Sequence, residues 1–424
     1  MTRERLGILY VSPIPTSPPR FGAQARMHGL MSELARRHDV TALALIDHAV
    51  ADADECRRAV ETNGCEAVLV PGPHLGDLSK RLLQLRSLVS TRSFERLLFT
   101  VPALQPSLDR LLHARRFDIV NLEFSSLGHY ELRQAPRGEK VPALVVDSHN
   151  IDYDLARQYA GAGNSFARRI YAAVNWRKLR REELGTYGDA DGVYLCSAAD
   201  ERRLLDQVPG VRTTVIPNAA DVDYYQPRRT DPLPDGRTVV FFGLLSYAPN
   251  IDGVIYFVRE IWPRIAEAHP EARCKIIGGQ APASLLALAG PRVELTGFVE
   301  DLRPHLAAAA AVVVPLRIGG GTRLKIVEAM AMGKAVVSTT LGAEGIEAVS
   351  DRDLLIQDDP ESFANAVNRL LADPDLGSRI GQSARQLAVE RYSWSGASNA
   401  LESFYHKILE ARSSRVQARA LEGF

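Results

Sequence analysis

The sequence predicts an α/β fold made of two doubly wound domains, and three observations support this prediction. Short apolar runs of strand length alternate with helical segments along most of the 424 residues. Each run is apolar at successive positions, which is typical of parallel strands covered by helices on both faces. The alternation breaks once, at a polar segment with four prolines in residues 217–237, and then starts again.

The first half of the chain predicts seven strands. The first run, LGILYV at 6–11, leads through a glycine-containing loop into a helix whose apolar positions include Met27, Leu30 and Leu34. The other runs are VTALALI (40–46), AVLV (67–70), DIVNL (118–122), ALVVD (143–147), GVYLC (192–196) and TTVIP (213–217). The helical segments between them predict right-handed crossovers and parallel pairing.

The second half predicts another sheet of the same kind. Its runs are TVVFFG (238–243), CKIIGG (274–279), VELTGF (293–298), AVVVPL (311–316) and AVVST (335–339). Helices are expected from about Asn250, near 323–332 and from about Trp394, and the last could pack on the first domain. We therefore assign one domain to 1–225 with 395–424, and the other to 226–394.

Composition excludes several classes of protein. Lys plus Arg and Asp plus Glu each number 51, so the chain lacks the basic excess of a dedicated nucleic-acid binder. Its four cysteines are too few for a disulfide scaffold, and because they form no C-x-x-C pair a structural zinc site is not expected.

Membrane insertion is not expected, but membrane contact stays open. The longest apolar stretch, Leu306 to Leu316, has 11 residues and contains a proline, whereas a span needs roughly 20. The first apolar run is too short for a signal peptide, so we expect a cytoplasmic protein. Two basic tracts, 80–92 and 168–183, suit either a helix at the inner face of the cell membrane or a solvated surface over a core.

The segment 315–339 carries the strongest indication of chemistry. A predicted strand ends there, the glycines Gly319, Gly320 and Gly321 and then Thr322 follow, and a helix begins. Backbone amides at a helix N-terminus form an anion site. Arg323 and Lys325 add cations that the helix dipole disfavours by a few tenths to about 1 kcal/mol, so a bound diphosphate would compensate them. The alternative is a solvated basic turn.

Three further side chains are candidates. Glu328, three residues after Lys325, could accept hydrogen bonds from ribose hydroxyls or form a simple Lys–Glu surface pair. His149 directly follows the run ALVVD, where ligands of such sheets bind, although it could instead cap the helix near Asp152. Glu123 follows DIVNL and is either an acceptor-side group or a solvated loop acid.

At this point the sequence resembles a known family. The stretch EAMAMGKAVV, which begins at Glu328, is similar to the donor-binding helix of retaining GT-B glycosyltransferases of family 4. Further motifs resemble that family in the same order. They are the Gly22 loop with its helix, VIPNAADVDYYQP (215–227), FFGLLSYAPNIDG (241–253), GFVEDL (297–302) and RYSWSGASNALESFY (391–405).

The resemblance implies two Rossmann-like domains facing across a cleft. The C-terminal domain would bind a nucleotide sugar, and the N-terminal domain would bind a saccharide or lipid-linked acceptor, with retention at the anomeric carbon and no metal. His149 would line the transferred sugar, with Arg323 and Lys325 as the other catalytic residues. The implied donor-binding residues are Gly22, Gly243, Asn250, Phe298, Gly319, Gly320, Gly321, Thr322 and Glu328.

Two departures from the family pattern stand out. Gly320 occupies the place of a glutamate that contacts the donor sugar in relatives. The 243–250 loop has Leu244, Ser246, Tyr247 and Asn250 where an Arg and a Lys commonly bind the diphosphate, so we expect Arg323 and Lys325 to replace them. Besides transfer in polysaccharide or glycolipid assembly, two alternatives remain: a catalytically idle subunit that binds a partner enzyme, and a nucleotide-sugar epimerase.

Overall fold

The chain folds into two compact units. The computed structural model describes residues 5–74, 76–162 and 166–422. One unit combines the chain up to Ile216 with the residues from Ala397 onward, and the other extends from Pro217 to Gly396. Residues 217–225, which we assigned to the first domain, lie in the second unit.

The first unit is built around a seven-stranded parallel sheet in the order β3-β2-β1-β4-β5-β6-β7. Its strands are β1 Gly7–Ser12, β2 Asp39–Ile46, β3 Glu66–Pro71, β4 Ile119–Glu123, β5 Ala143–Ser148, β6 Gly192–Leu195 and β7 Thr213–Val215. The helices are α1 Gly22–Ala35, α2 Ala53–Thr62, α3 Asp77–Val89, α4 Phe94–Leu98, α5 Leu104–Ala114, α6 Asp152–Ala162, α7 Phe166–Asp189 and α8 Ala198–Leu205. This topology confirms the doubly wound prediction for the first half.

The second unit has a six-stranded parallel sheet in the order β10-β9-β8-β11-β12-β13. Its strands are β8 Thr238–Phe242, β9 Arg273–Ile277, β10 Val293–Gly297, β11 Ala311–Val314, β12 Val336–Ser338 and β13 Leu355–Ile356. The helices are α9 Ala248–Tyr256, α10 Trp262–Ala268, α11 Ala283–Leu286, α12 Arg303–Ala308, α13 Leu324–Ala331, α14 Pro360–Ala372 and α15 Pro374–Arg391. The last helix, α16 Trp394–Glu422, belongs to the first unit from Ala397 onward. A π-helical turn, Phe257–Ile261, joins α9 to α10.

Both sheets are buried on both faces, as the continuous apolar runs predict. Every residue of β4, β5 and β11 is buried, and α1 covers its sheet with Met27, Leu30 and Leu34. The strand order reverses between β1 and β4 in the first sheet and between β8 and β11 in the second. In open α/β sheets, ligands bind beyond the carboxyl ends of the strands at such reversals.

Candidate functional site

The carboxyl end of the second sheet is lined by glycine loops. Gly243 follows β8 with φ of 147°, and Gly319 follows β11 with φ of 136°. A Cβ atom on Gly243 would lie 2.9 Å from Lys325 Nζ, and one on Gly319 would lie 2.8 Å from an Arg323 guanidinium nitrogen. Because any side chain would collide with these two cations, the glycines allow the backbone to lie directly against them.

Lys325 lies at the second position of α13, among neutral partners. Its Nζ donates to Asn250 Oδ1 at 2.7 Å and lies 4.2 Å from the centroid of the Phe241 ring. The Asn250 amide nitrogen in turn donates to the Leu244 carbonyl at 2.8 Å, which fixes the acceptor oxygen towards the lysine. Burial, and then the neighbouring Arg323 charge, lower the pKa of Lys325 to about 7.

Arg323 directly precedes α13. Its extended backbone places it at the N-cap, and its guanidinium donates to the Leu341 carbonyl at 3.5 Å. Lys325 is two residues further on, in the first turn of the same helix. An arginine and a lysine therefore lie at a helix N-terminus, where the helix dipole alone would repel both of them.

Glu328 lies one turn further along α13 and has a partner that the sequence did not single out. The Tyr225 hydroxyl and the Glu328 carboxylate lie near enough to affect each other's pKa. Burial raises the pKa of Glu328 to about 7, against the opposing effects of Tyr225 and Lys325. From the same segment, Asn218 Nδ2 donates to the Thr322 carbonyl at 2.6 Å, two residues before α13 begins.

The other predicted donor-site residues occupy the surrounding loops. Gly320 is half-buried, whereas Gly321 and Thr322 are buried, and the Thr322 hydroxyl donates to the Gly345 carbonyl at 3.5 Å. Phe298 follows β10 and is largely exposed. Gly22 is the first residue of α1 and thus belongs to the first unit. Among the predicted residues, Gly243, Asn250 and Lys325 contact one another, and Gly319 lies against Arg323.

In the first unit, His149 directly follows β5 and pairs with the last residue of β4. Its Nε2 lies 2.6 Å from Glu123 Oε2 and 3.5 Å from Asp147 Oδ2. The imidazole is stacked on the Phe124 ring, with 4.1 Å between centroids. Phe124 has φ of 65°, an uncommon backbone conformation for a bulky residue, so local strain accompanies this placement of its ring.

Glu123 belongs to a buried chain of hydrogen bonds. Asn121 Nδ2 donates to Glu123 Oε1 at 2.8 Å, and the Tyr405 hydroxyl of α16 donates to Asn121 Oδ1, also at 2.8 Å. Burial, and then the negative charge of Asp147, raise the pKa of Glu123. The alternative that Glu123 is a solvated loop acid is wrong, because the residue is fully buried.

Arg26 compensates the remaining charge of this cluster and was missed in the sequence. Its guanidinium donates to both Asp147 oxygens, at 2.8 and 3.0 Å, and to the Ile216 carbonyl at 2.9 Å. The sequence contained one indication of a buried cation: Arg26 lies four residues before Leu30, on the apolar face of α1. A cation on such a face needs a buried carboxylate.

Glu123, Asp147 and His149 also have the donor atoms of a metal site. Their ligand atoms lie within 4.8 Å of one another, the one such group among the described residues. Both Asp147 oxygens accept hydrogen bonds from Arg26, so a metal ion would share this carboxylate with an existing cation.

The capping alternative for His149 is wrong. The backbone amides of Asp152 and Tyr153, at the start of α6, donate to the Glu183 carboxylate at 3.0 and 2.8 Å. Glu183 is fully buried and also accepts from the Tyr187 hydroxyl at 2.6 Å. The helix start is thus satisfied by a residue of α7, which the sequence did not indicate.

A polar cavity of about 220 Å³ lies in the first unit, lined from α4, the turn after Phe124 and α7. Its lining includes Arg96, Ser125 and His129 together with Glu182 and Thr186. Burial, and then the Arg96 charge, lower the pKa of His129 to about 4, so this imidazole is neutral at pH 7. Ser125, which lines the cavity, directly follows Phe124, whose ring is stacked on His149.

Two family models match the chain. The glycosyl transferase 4-like domain matches residues 21–219, and the glycosyl transferases group 1 model matches residues 236–373. The chain belongs to the group 1, GT4-like glycosyltransferases. The resemblance that the sequence motifs indicated is confirmed.

Structural comparison places this glycosyltransferase chain in the GT-B fold. Sucrose-phosphate synthase from Thermosynechococcus elongatus aligns over 96% of this chain and 100% of its own, with a TM-score of 0.72 and 17% identity. HepE from Anabaena, solved in complex with UDP-glucose, aligns over 97% and 100%, with a TM-score of 0.64 and 17% identity. At these identities the likeness establishes the fold.

The similar curated proteins are distant. Alpha-maltose-1-phosphate synthase of Mycolicibacterium smegmatis is 26% identical over 250 residues, which cover 52% of this chain and 64% of that protein. A GDP-mannose-dependent alpha-(1-6)-phosphatidylinositol monomannoside mannosyltransferase of the same organism is 28% identical over 261 residues, or 54% and 67%. The chain spans about half to two thirds of the length of such relatives.

None of the helices within 5–74, 76–162 and 166–422 combines the length and the apolar character that crossing a bilayer requires.

Proposed function

We propose that this GT-B glycosyltransferase moves a hexosyl group from a nucleoside-diphosphate sugar to an acceptor hydroxyl, with retention at the anomeric carbon, in polysaccharide or glycolipid assembly. The observation that carries the proposal is the position of Lys325. Its ammonium group lies against Gly243, at the carboxyl end of a parallel sheet, and hydrogen-bonds to a neutral amide rather than to a carboxylate. A diphosphate would supply the counter-charge.

The second unit would supply the donor site. Lys325, Arg323 and the amides of 319–322 would stabilise the negative charge that grows on the departing diphosphate. Charge stabilisation by groups already in position is worth roughly 3 kcal/mol per key donor. Glu328 would accept from the ribose, with Tyr225 orienting its carboxylate. Fixed cations would replace a divalent metal, so we expect transfer to continue in the presence of EDTA.

The first unit would supply the acceptor site. His149 would line the transferred sugar, and its Nε2 contact with Glu123 would hold the ring in one orientation. The polar cavity beside Phe124 is large enough for part of a saccharide acceptor. Retention rests on the family resemblance, and the anomeric configuration of the product, read from its NMR coupling constant, decides it.

The acceptor would be a saccharide or a lipid-linked saccharide on the cytoplasmic side of the membrane. The phosphatidylinositol mannosyltransferase among the relatives supports a lipid acceptor, and the HepE complex supports a nucleotide-sugar donor. Peripheral contact with the membrane would then bring the enzyme to its acceptor.

The decisive experiment is a thermal-shift panel of nucleotides and nucleotide sugars. A ligand that binds only the folded state raises the apparent stability by mass action, so one base and one sugar should raise Tm more than the others. A panel in which no nucleoside diphosphate raises Tm would contradict the proposal.

One observation favours a second function, that of a catalytically idle subunit. Gly320 occupies the place of the donor-contacting glutamate in relatives, so one carboxylate is missing from the donor site. Slow hydrolysis of the selected nucleotide sugar separates the two functions. An enzyme should release the nucleotide above background, whereas an idle subunit should bind it without turnover.

A further inference from the structure

Helix α3 of the first unit is oriented with its apolar side outward. Leu78, Leu82, Leu85 and Val89 have 72%, 58%, 61% and 91% of their surface exposed. They lie at positions i, i+4, i+7 and i+11, which form one narrow stripe along a helix with 3.6 residues per turn. We refer to these four residues as the α3 stripe.

The opposite side of α3 is the one attached to the protein. Ser87 follows Leu78 by nine residues, half a turn round the helix from the stripe, and is buried. Lys178 of α7 donates to the Ser87 carbonyl at 2.6 Å and to the Ser90 carbonyl at 2.7 Å. These polar contacts fix the helix with its leucines in solvent, the reverse of the usual amphipathic arrangement.

Basic side chains flank the stripe. Arg81 and Arg86 are exposed and project on either side of it, and Lys80 is exposed as well. Residues 77–92 contain four cations and one acid, in a chain whose net charge is zero. Arginines beside an apolar stripe can extend to lipid phosphates while the leucines enter the hydrocarbon boundary.

We propose that α3 is a membrane-docking helix that lies in the surface of an anionic lipid bilayer. A narrow apolar stripe with flanking cations is the pattern of interfacial helices. A second copy of the chain fits less well, because a two-fold contact through α3 would bring Arg81 and Arg86 of both copies together. That the acceptor is linked to a lipid rests on the proposed function, whereas membrane binding by α3 does not depend on that function.

The chain that follows α3 leads to the polar cavity of the first unit. After α3 ends, the Arg181 guanidinium donates to the Thr91 carbonyl at 2.5 Å, and both Arg181 and Ser93 line that cavity. Docking of α3 would therefore place the cavity of the first unit near the lipid surface. A lipid-linked acceptor could reach it without leaving the membrane.

The test is sedimentation of the full-length protein with vesicles of phosphatidylcholine and phosphatidylglycerol, compared with phosphatidylcholine alone. We expect binding to the anionic vesicles that falls at high salt. The double variant Leu82→Gln, Leu85→Gln should lower the partition coefficient by at least about tenfold, because two exposed leucines no longer enter the lipid. Arg81→Gln with Arg86→Gln should remove the preference for anionic vesicles.

The matched control is Leu233→Gln with Leu286→Gln, two leucines of the second unit that are 86% and 56% exposed. It should bind vesicles like the unmodified protein. Three results would overturn the proposal: no vesicle binding, equal loss in the control variant, or a stable dimer that dissociates in the α3 variant, as shown by light scattering. The nucleotide-induced shift in Tm should be the same in all variants, which separates this proposal from the donor proposal.

Discussion

The carboxyl ends of the two sheets differ in how their charged side chains are balanced by neighbouring groups. In the first unit, Asp147 is fully compensated by Arg26, and Glu123 is engaged by His149 and Asn121. In the second unit, Lys325 lies against a neutral amide and an aromatic face, beside another cation. The first end is a completed network that fixes one imidazole, and the second is a basic pocket that favours an anion.

The difference has a physical consequence. A completed buried network resists rearrangement, because removing one charged partner leaves the other unpaired in a poorly solvated place. A pocket that holds two neighbouring cations gains free energy when an anion enters it. Mutations at the first end should therefore act on stability or orientation, and mutations at the second end on ligand affinity.

The largest effect is expected for Arg26→Ala. Asp147 would lose the guanidinium that contacts both of its oxygens, and breaking a buried pair in this way costs about 3–5 kcal/mol. Urea denaturation measures the loss in the free energy of unfolding. Arg36→Ala is the control, since Arg36 ends the same helix and pairs with Glu33 at the surface, where such pairs contribute about 0–1 kcal/mol. Equal losses for both variants would mean that the network does not hold the first end together.

The next effect concerns His149→Ala. Transfer should fall about 100-fold, as when one group that stabilises developing charge is lost, while nucleotide affinity stays nearly unchanged. Rates of transfer and dissociation constants for the nucleotide provide the two readings. His113→Ala, at an exposed position in the last turn of α5, should leave both unchanged. A loss confined to nucleotide affinity would argue for a structural role.

At the second end, Arg323→Ala and Lys325→Ala should each weaken donor binding or turnover by at least about tenfold, or 1.4 kcal/mol. Isothermal titration and steady-state kinetics measure these losses. Arg369→Ala removes an exposed cation of the same unit, paired with Asp351, and should have no such effect. Unchanged kinetics in both test variants would remove the diphosphate assignment.

The smallest effect is a pH dependence of donor affinity. Lys325 has a pKa of about 7 in the free protein, and a bound diphosphate would raise that pKa because it favours the charged ammonium. Binding then takes up a proton above pH 7, so affinity should fall several-fold between about pH 7 and 8.5. Lys325→Arg keeps its charge throughout this range and should show a flatter profile. A steeper profile in the arginine variant would contradict the assignment.

The strands could be predicted because parallel strands buried on both faces are continuous apolar runs. β13 was missed, since two residues, Leu355 and Ile356, do not form a recognisable run. Gly319, Arg323 and Lys325 could be singled out because they lie within seven residues, in one loop and helix start. Tyr225, Glu183 and Tyr405 were not, because each reaches its partner from a distant part of the chain.

The sequence by itself determined the two parallel sheets and the glycine-rich helix start that carries two cations. Only the tertiary structure decided that Arg26 is the counter-ion of Asp147, that Glu123 is buried against His149, and that α3 turns its leucines outward. The physical reason is that local pattern fixes which residues form an element, whereas charge pairing and exposure depend on which surfaces the folded chain brings together.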